Sequence, residues 1–178
     1  MSVPILETER LILREYRRED FPFHGAIWAD PRTTQYFNTP SHAHDEEMAW
    51  LRWMRNFGQW QLFGYGYWGI EEKASGRYIG AVGWFNAKRA VDISYRDAPE
   101  AGWVIAPDFH GRGLVTEALT AATAWADAEI DSPETWCMIA PQNLISQKTA
   151  ARFGYRPALD AAYKGEPVLT FRRPRGGA

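Results

Sequence analysis

The chain has little of several things, and each shortage excludes something. It holds one cysteine, Cys137, so no disulfide can form within it. Flanked by Trp136, Met138 and Ile139, that thiol reads as buried and structural rather than nucleophilic. No apolar run approaches the roughly 20 residues needed to span a bilayer, and no charged-then-apolar leader opens the chain. Cytoplasmic location is therefore the expectation. Neither sign of charge dominates: the formal net charge of −2 gives no field to draw nucleic acid or an anionic membrane. Internal repeats, low-complexity tracts and long linkers are all missing, so residues 1–178 read as one domain. Its size allows roughly 70% of the unfolded surface to be buried. Metal-ligand spacing is missing too. His42, His44, Asp45, Glu46 and Glu47 crowd a helix start, where such groups form a solvated first turn favoured by the helix dipole. The expected metal is none.

Aromatic residues, by contrast, are plentiful. They make up 15% of the chain, with nine tryptophans, more than a core of this size needs for filling alone. Trp28, Tyr36, Phe37, Trp84 and Trp103 are the candidates for an aromatic-lined acceptor cleft, with the core as the alternative place for each.

Periodicity divides the chain into alternating elements. Glu7 to Tyr16 reads as a first strand. Glu19 and Asp20 cap a helix carrying Phe23, Ile27 and Trp28, which stops near Asp30 and Pro31. Ser41 or Asp45 starts a second helix ending near Gly58. Tyr65 to Glu71 and Tyr78 to Phe85 form a hairpin about the turn at Ala74, Ser75 and Gly76. Val91, Ile93 and Tyr95 alternate and suggest an extra edge strand. Thr135 to Ile139 is a short strand. Asn143 caps a further helix with Leu144, Ile145, Ala150 and Phe153 on its apolar face, ended by Gly154. Glu166 to Phe171 is a last strand, and Arg172, Arg173 and Arg175 form a short basic tail expected to be flexible.

One stretch organises the rest. Glu100 leads into Trp103, Val104 and Ile105, a buried strand bounded by Gly102 and Pro107. His110, Gly111, Arg112, Gly113, Leu114 and Val115 follow, and the two glycines let main-chain N–H groups converge on one point. A helix then begins, with Leu114, Ala118, Leu119 and Ala122 at helical spacing. Its first turns offer unpaired donors and the positive end of the dipole, suited to a phosphate or diphosphate. No Gly-Lys-Ser/Thr follows the loop, so it is not a Walker A loop.

That block resembles the Gln/Arg-x-x-Gly-x-Gly/Ala motif of the GCN5-related N-acetyltransferases (GNAT), with His110 at the Gln/Arg position, Gly113 matching and Val115 where Gly or Ala is usual. Two further stretches resemble the same superfamily. Thr8, Arg10, Leu11, Leu13 and Arg14 match the opening Thr-x-Arg-Leu-x-Leu-Arg of its ribosomal-protein N-acetyltransferase (RimJ/RimL-like) branch. Asn143, Ser146, Gly154 and Tyr155 match its Asn-x-x-Ala/Ser and Gly-Phe/Tyr register. The resemblance implies an α/β fold: a mixed, mostly antiparallel sheet of about seven strands, splayed at the middle and flanked by about four helices. It implies acetyl-coenzyme A as cosubstrate, its pantetheine beside Trp103, Val104 and Ile105. The diphosphate would rest on the amides of His110, Gly111, Arg112, Gly113, Leu114 and Val115, and Asn143 would hold the pantetheine arm. The implied acceptor is a protein N-terminal α-amine or a small-molecule amine, and the implied assembly a monomer or homodimer. Glu100 is the candidate base. Many relatives place a tyrosine seven residues after the Asn; Ala150 stands there, which leaves Ser146 to stabilise the departing thiolate. An alternative is a catalytically degenerate acyl-coenzyme A sensor or scaffold.

Overall fold

A computed structural model describes residues 2–36 and 45–177. Eight strands form one sheet in the order β1-β2-β3-β4-β5-β6-β8-β7. These are β1 (Leu6–Glu7), β2 (Leu11–Arg14), β3 (Tyr67–Glu72), β4 (Arg77–Phe85), β5 (Glu100–Ile105), β6 (Glu134–Ile139), β7 (Arg156–Tyr163) and β8 (Glu166–Pro174). All neighbours are antiparallel except β5 and β6. Among the described residues five α-helices accompany them: α1 (Phe21–Ala29), α2 (Pro31–Thr34), α3 (Glu46–Phe63), α4 (Leu114–Glu129) and α5 (Leu144–Arg152).

β4 is buried along nearly its whole length because both faces are covered. On one face Leu114, Ala118, Leu119 and Ala122 of α4 pack onto Leu13, Trp68, Val82 and Trp84. On the other, α1 and α3 close over Tyr16, Trp53, Tyr78 and Ala81. A buried ion cluster braces this second face: Arg14 holds Asp20 through two bonds of 2.6 and 2.9 Å and Glu71 through a third of 2.6 Å.

Where the structure departs from the sequence reading, a physical cause is visible. The first strand is interrupted, because Thr8 Oγ1 and the Arg10 main chain turn away to donate to Glu117 Oε1 at 2.6 and 2.8 Å. The helix expected to end near Gly58 runs on to Phe63, since Asn56, Gln59 and Trp60 carry its buried face past the glycine, and Gly64 at φ +72° ends it. Val91, Ile93 and Tyr95 form no strand; they plug a small core around Trp136 from within a loop. Leu144 and Ile145 are exposed, so the apolar face expected of α5 reduces to Ala150 and Phe153.

The flexible basic tail is a misreading of charge. Arg172 and Arg173 are the last rungs of β8, and Arg173 is buried, its guanidinium paired with Asp127 through two 2.6 Å bonds. Arg175 donates to the Asp127 and Ala128 carbonyls at the end of α4. Ser41, Phe37 and the histidines at 42 and 44 lie outside the described residues. Among the described residues, no helix is long and apolar enough to cross a membrane.

Candidate functional site

The site begins where the sheet comes apart. β5 and β6 share a single register pair, Glu100 with Trp136, and then diverge. The Trp136 N–H donates to the Pro99 carbonyl at 3.1 Å, and the Ala106 N–H donates to the Ile79 carbonyl at 2.8 Å. Main-chain groups alternate sides along a strand, so those of Trp103 and Ile105 turn toward the gap and those of Val104 toward β4. The three residues read together as a pantetheine edge thus divide into two that face the gap and one already used by the sheet. Trp103 is half-buried, and with Ile105 its side chain joins the α4 face.

At the far end of the gap the chain turns through a short 3₁₀ segment (Pro107–Phe109) into the glycine loop. The amide of His110 is spent on the Pro107 carbonyl at 3.0 Å, and its imidazole Nε2 lies 3.0 Å from the Ile105 carbonyl, so the ring folds back onto the strand. Gly111 and Gly113 sit at φ +74° and +76°, the left-handed region that suits glycine. The amides of Gly111, Arg112, Gly113, Leu114, Val115 and Thr116 have no acceptor among the described residues. Six unused donors at the positive end of α4 could hold an oxyanion group.

The loop is held from behind. Glu117 accepts from Thr8 and twice from Arg10, and Arg10 Nη1 also donates to the Arg112 carbonyl at 2.9 Å. Partial burial favours the neutral form of Glu117, but these hydrogen bonds and the Arg10 charge outweigh it and keep the carboxyl below its ordinary range. The opening Thr-x-Arg thus serves as a brace for the loop, a link that its position at the other end of the sequence concealed.

β6 leads into α5 across the gap. Asn143 caps α5 by accepting from the Ser146 amide at 3.1 Å, and its side-chain NH₂ has no acceptor among the described residues. Ser146 is half-buried, and Ala150 lies fully buried in the main core. Tyr155 is also core: its hydroxyl accepts from Trp84 Nε1 at 3.2 Å and pairs with Thr135 Oγ1 at 2.7 Å, and burial pushes its pKa up. Trp84 belongs to that core rather than to a cleft.

The opposite face of the gap carries Glu100, named from the sequence, beside two residues that the sequence reading missed, Arg89 and Tyr67. Glu100 is buried, both its oxygens held by Arg89 at 2.8 and 3.0 Å. Arg89 comes from the loop between β4 and β5 and also donates to the Tyr163 hydroxyl of β7 at 3.1 Å. Next along β5, Gly102 has no side chain, and the hydroxyl of Tyr67 occupies that space: a Cβ there would lie 2.1 Å from it. The hydroxyl has no hydrogen-bond partner among the described residues. Burial, reinforced by Glu100, raises its pKa well above the ordinary tyrosine value, so it keeps its proton. Asn56 fixes the strand beneath it, accepting from the Tyr67 amide at 2.7 Å and donating to its carbonyl at 2.8 Å. No sequence motif marks this cluster; only the sheet brings it together.

Comparisons with known proteins bear on the family and the fold. A family model described as an acetyltransferase (GNAT) domain matches residues 10–156. The chain is 23% identical over 154 residues to the uncharacterized N-acetyltransferase YoaA of Bacillus subtilis, covering 86% of this chain and 83% of that protein. A solved GNAT-family acetyltransferase from Bordetella pertussis superposes with a TM-score of 0.81 at 28% identity, covering 96% of this chain and 99% of that one. RimL, a ribosomal L7/L12 α-N-protein acetyltransferase solved with coenzyme A, shares the fold with a TM-score of 0.75 at 15% identity, covering 96% and 98% of the two chains.

Proposed function

Because the chain belongs to the GNAT acetyltransferase family, we propose that it moves the acetyl group of acetyl-coenzyme A onto a primary amine by direct attack within a ternary complex. The observation that carries this reading is the combination of six unused amides at 111–116 with the gap-facing main-chain amides of Trp103 and Ile105. Together they suit a molecule with a diphosphate at one end and an amide-bearing chain at the other. The pantetheine adds to β5 as an extra strand, and the free NH₂ of Asn143 donates to it from across the gap.

Chemistry takes place near Gly102, where the gap begins. Charge developing on the thioester oxygen is met by a strand N–H pointing into the gap, and Trp103 and Ile105 provide the two that do. An α-amine has an ordinary pKa of about 8, so a useful fraction is neutral at working pH. Glu100, read from the sequence as the base, is given a different part here. Both oxygens of Glu100 are engaged by Arg89, so Glu100 positions that guanidinium and the amine gives its proton to water on the open side. The departing thiolate is stabilised by hydroxyl donors, Ser146 from α5 and Tyr67 from β3. Their alcohols are far too weak as acids to act alone before the carbon–sulfur bond breaks.

The acceptor approaches from the α1/α3 face, because α4 fills the other. RimL, by its name, acts on a protein α-amine, and the Thr8 to Arg14 match favours an N-terminal α-amine here too. Ala150 and the locked Glu100 favour a second reading, an acyl-coenzyme A sensor. Thiol release from acetyl-coenzyme A across a panel of amines, including peptides with free Ser, Ala and Met N-termini, separates the two. Turnover on at least one amine supports transfer; coenzyme A binding with no turnover on any amine supports the sensor.

A further inference from the structure

We propose that the acceptor carries a carboxylate close to its amine, and that Arg55 receives it. This rests on the acyl-transfer reading and adds the substrate class. The observation is an arrangement of two guanidiniums about one ring. Arg55 of α3 and Arg89 of the β4–β5 loop lie 5.4 and 5.3 Å from the centre of Phe85. Phe85 ends β4 directly opposite Glu100 in the sheet, and its ring lies 5.1 Å from that of Tyr67. Both cations therefore stand around the point where β5 and β6 part and the thioester is delivered.

The two cations differ in what they hold. Arg89 is spoken for by Glu100 and Tyr163. Arg55 is exposed, and among the described residues it has neither a carboxylate nor any hydrogen-bond acceptor. A third arginine, Arg52, lies one turn before it on α3 with its guanidinium 4.6 Å from the Trp28 ring. Burial first, and then the charges of Arg55 and Arg89, disfavour the charged form of Arg52, with Asp45 opposing. Arg55 and Arg89 thus share this face, and Glu100 pairs with Arg89.

Such a cluster attracts an anion, and the stacked ring fixes where it goes. Guanidiniums lying on an aromatic face keep their N–H edges free for a planar two-pronged acceptor. A carboxylate docked on Arg55 places a nearby amine, on the same residue or the next, toward Gly102 and the Tyr67 hydroxyl. The chemistry is shared by two sources: the α-carboxylate of a free amino acid, and an acidic side chain near the N-terminus of a peptide.

The experiment measures kcat/KM with acetyl-coenzyme A for matched acceptors: an amino acid against its amide, and Ser-Asp, Ser-Ala and Ser-Lys peptides. Each is run with the full chain and with Arg55→Gln and Arg55→Lys. The wild-type protein is expected to favour the anionic member of a pair by about tenfold, the scale of a hydrogen bond to a charged group. The ratio is expected to collapse toward one in Arg55→Gln and to recover in part in Arg55→Lys. Preference in the amino acid pair identifies the α-carboxylate; preference in the peptide set identifies the acidic side chain. A wild-type ratio near one in both sets, or a ratio unaltered in Arg55→Gln, overturns the proposal while leaving acyl transfer standing. If no amine is turned over, transfer itself fails. Calorimetry of N-acetyl-Ser-Asp and N-acetyl-Ser-Lys on the coenzyme A complex then decides the subsite: tighter binding of the acidic peptide, lost in Arg55→Gln, supports it, and equal binding refutes it.

Discussion

Gly102 and Tyr67 offer a double-mutant test of how the acyl end of the gap is built. In Gly102→Ala the new Cβ would stand 2.1 Å from the Tyr67 hydroxyl oxygen and 3.1 Å from the ring carbon that bears it. The first distance falls short of contact by more than an ångström, so the ring or β5 must move. Overpacking of this kind costs about 1–3 kcal/mol, which for a chain of this length lowers Tm by roughly 2–12 °C. Tyr67→Phe alone is expected to be close to neutral, because its hydroxyl bonds to no described residue and removal strands no partner. In the Tyr67→Phe background the clash shrinks to the 3.1 Å contact, which a shift of a few tenths of an ångström relieves. Urea unfolding of the four proteins gives the coupling, predicted at about 1–2 kcal/mol in favour of the double variant. A Gly102→Ala cost that is the same in both backgrounds would show that the hydroxyl does not lie on Gly102, and the role given to Tyr67 would go with it.

Other expected outcomes are as checkable. Ser146→Ala should lower kcat more than it weakens coenzyme A binding, measured by steady-state kinetics and calorimetry; unchanged turnover removes Ser146 from the mechanism. Asp127→Asn should cost about 2–4 kcal/mol at pH 7 by leaving the buried Arg173 without its partner. Hydrogen bonds from Arg173 hold the Asp127 carboxyl below its ordinary range, so that stability is present above the unfolded pKa near 4 and lost as pH falls through the folded value. The gap between the two proteins in urea titrations should therefore close in acid. His24 is buried, with Nδ1 3.0 Å from the Tyr78 hydroxyl, and burial with the nearby Arg52 charge pushes its pKa down to about 3. The unfolded chain takes up a proton below about pH 6.5 that the folded chain refuses, so stability falls as pH drops from there, by at most about 3 kcal/mol at pH 4.5. His24→Gln should flatten that slope; an unaltered slope would place the acid sensitivity elsewhere.

How much of this was legible in the sequence depends on how local each feature is. The glycine loop and α4 were readable because glycine spacing, helical periodicity and a helix entry sit within ten consecutive residues. The β3–β4 hairpin and the α5 cap were readable for the same reason. β7 was not, because as the outermost strand it faces solvent along most of its length and shows no alternation. The acceptor-face cluster was beyond reach: Tyr67, Arg89 and Glu100 come from three separate segments, and the feature that joins them is a side chain that Gly102 lacks. The basic C-terminal stretch misled because its charges look solvated until Asp127, far back in the chain, supplies the partner.

Amide hydrogen exchange with and without coenzyme A reads the glycine loop and the open edge of β5 in one measurement. Slowed exchange is expected at Gly111 through Thr116 and at one or both of the gap-facing Trp103 and Ile105 amides, with Val104, already bonded to β4, unaltered. Protection that skips residues 111–116, or that appears only away from the gap between β5 and β6, would contradict the proposed coenzyme A site.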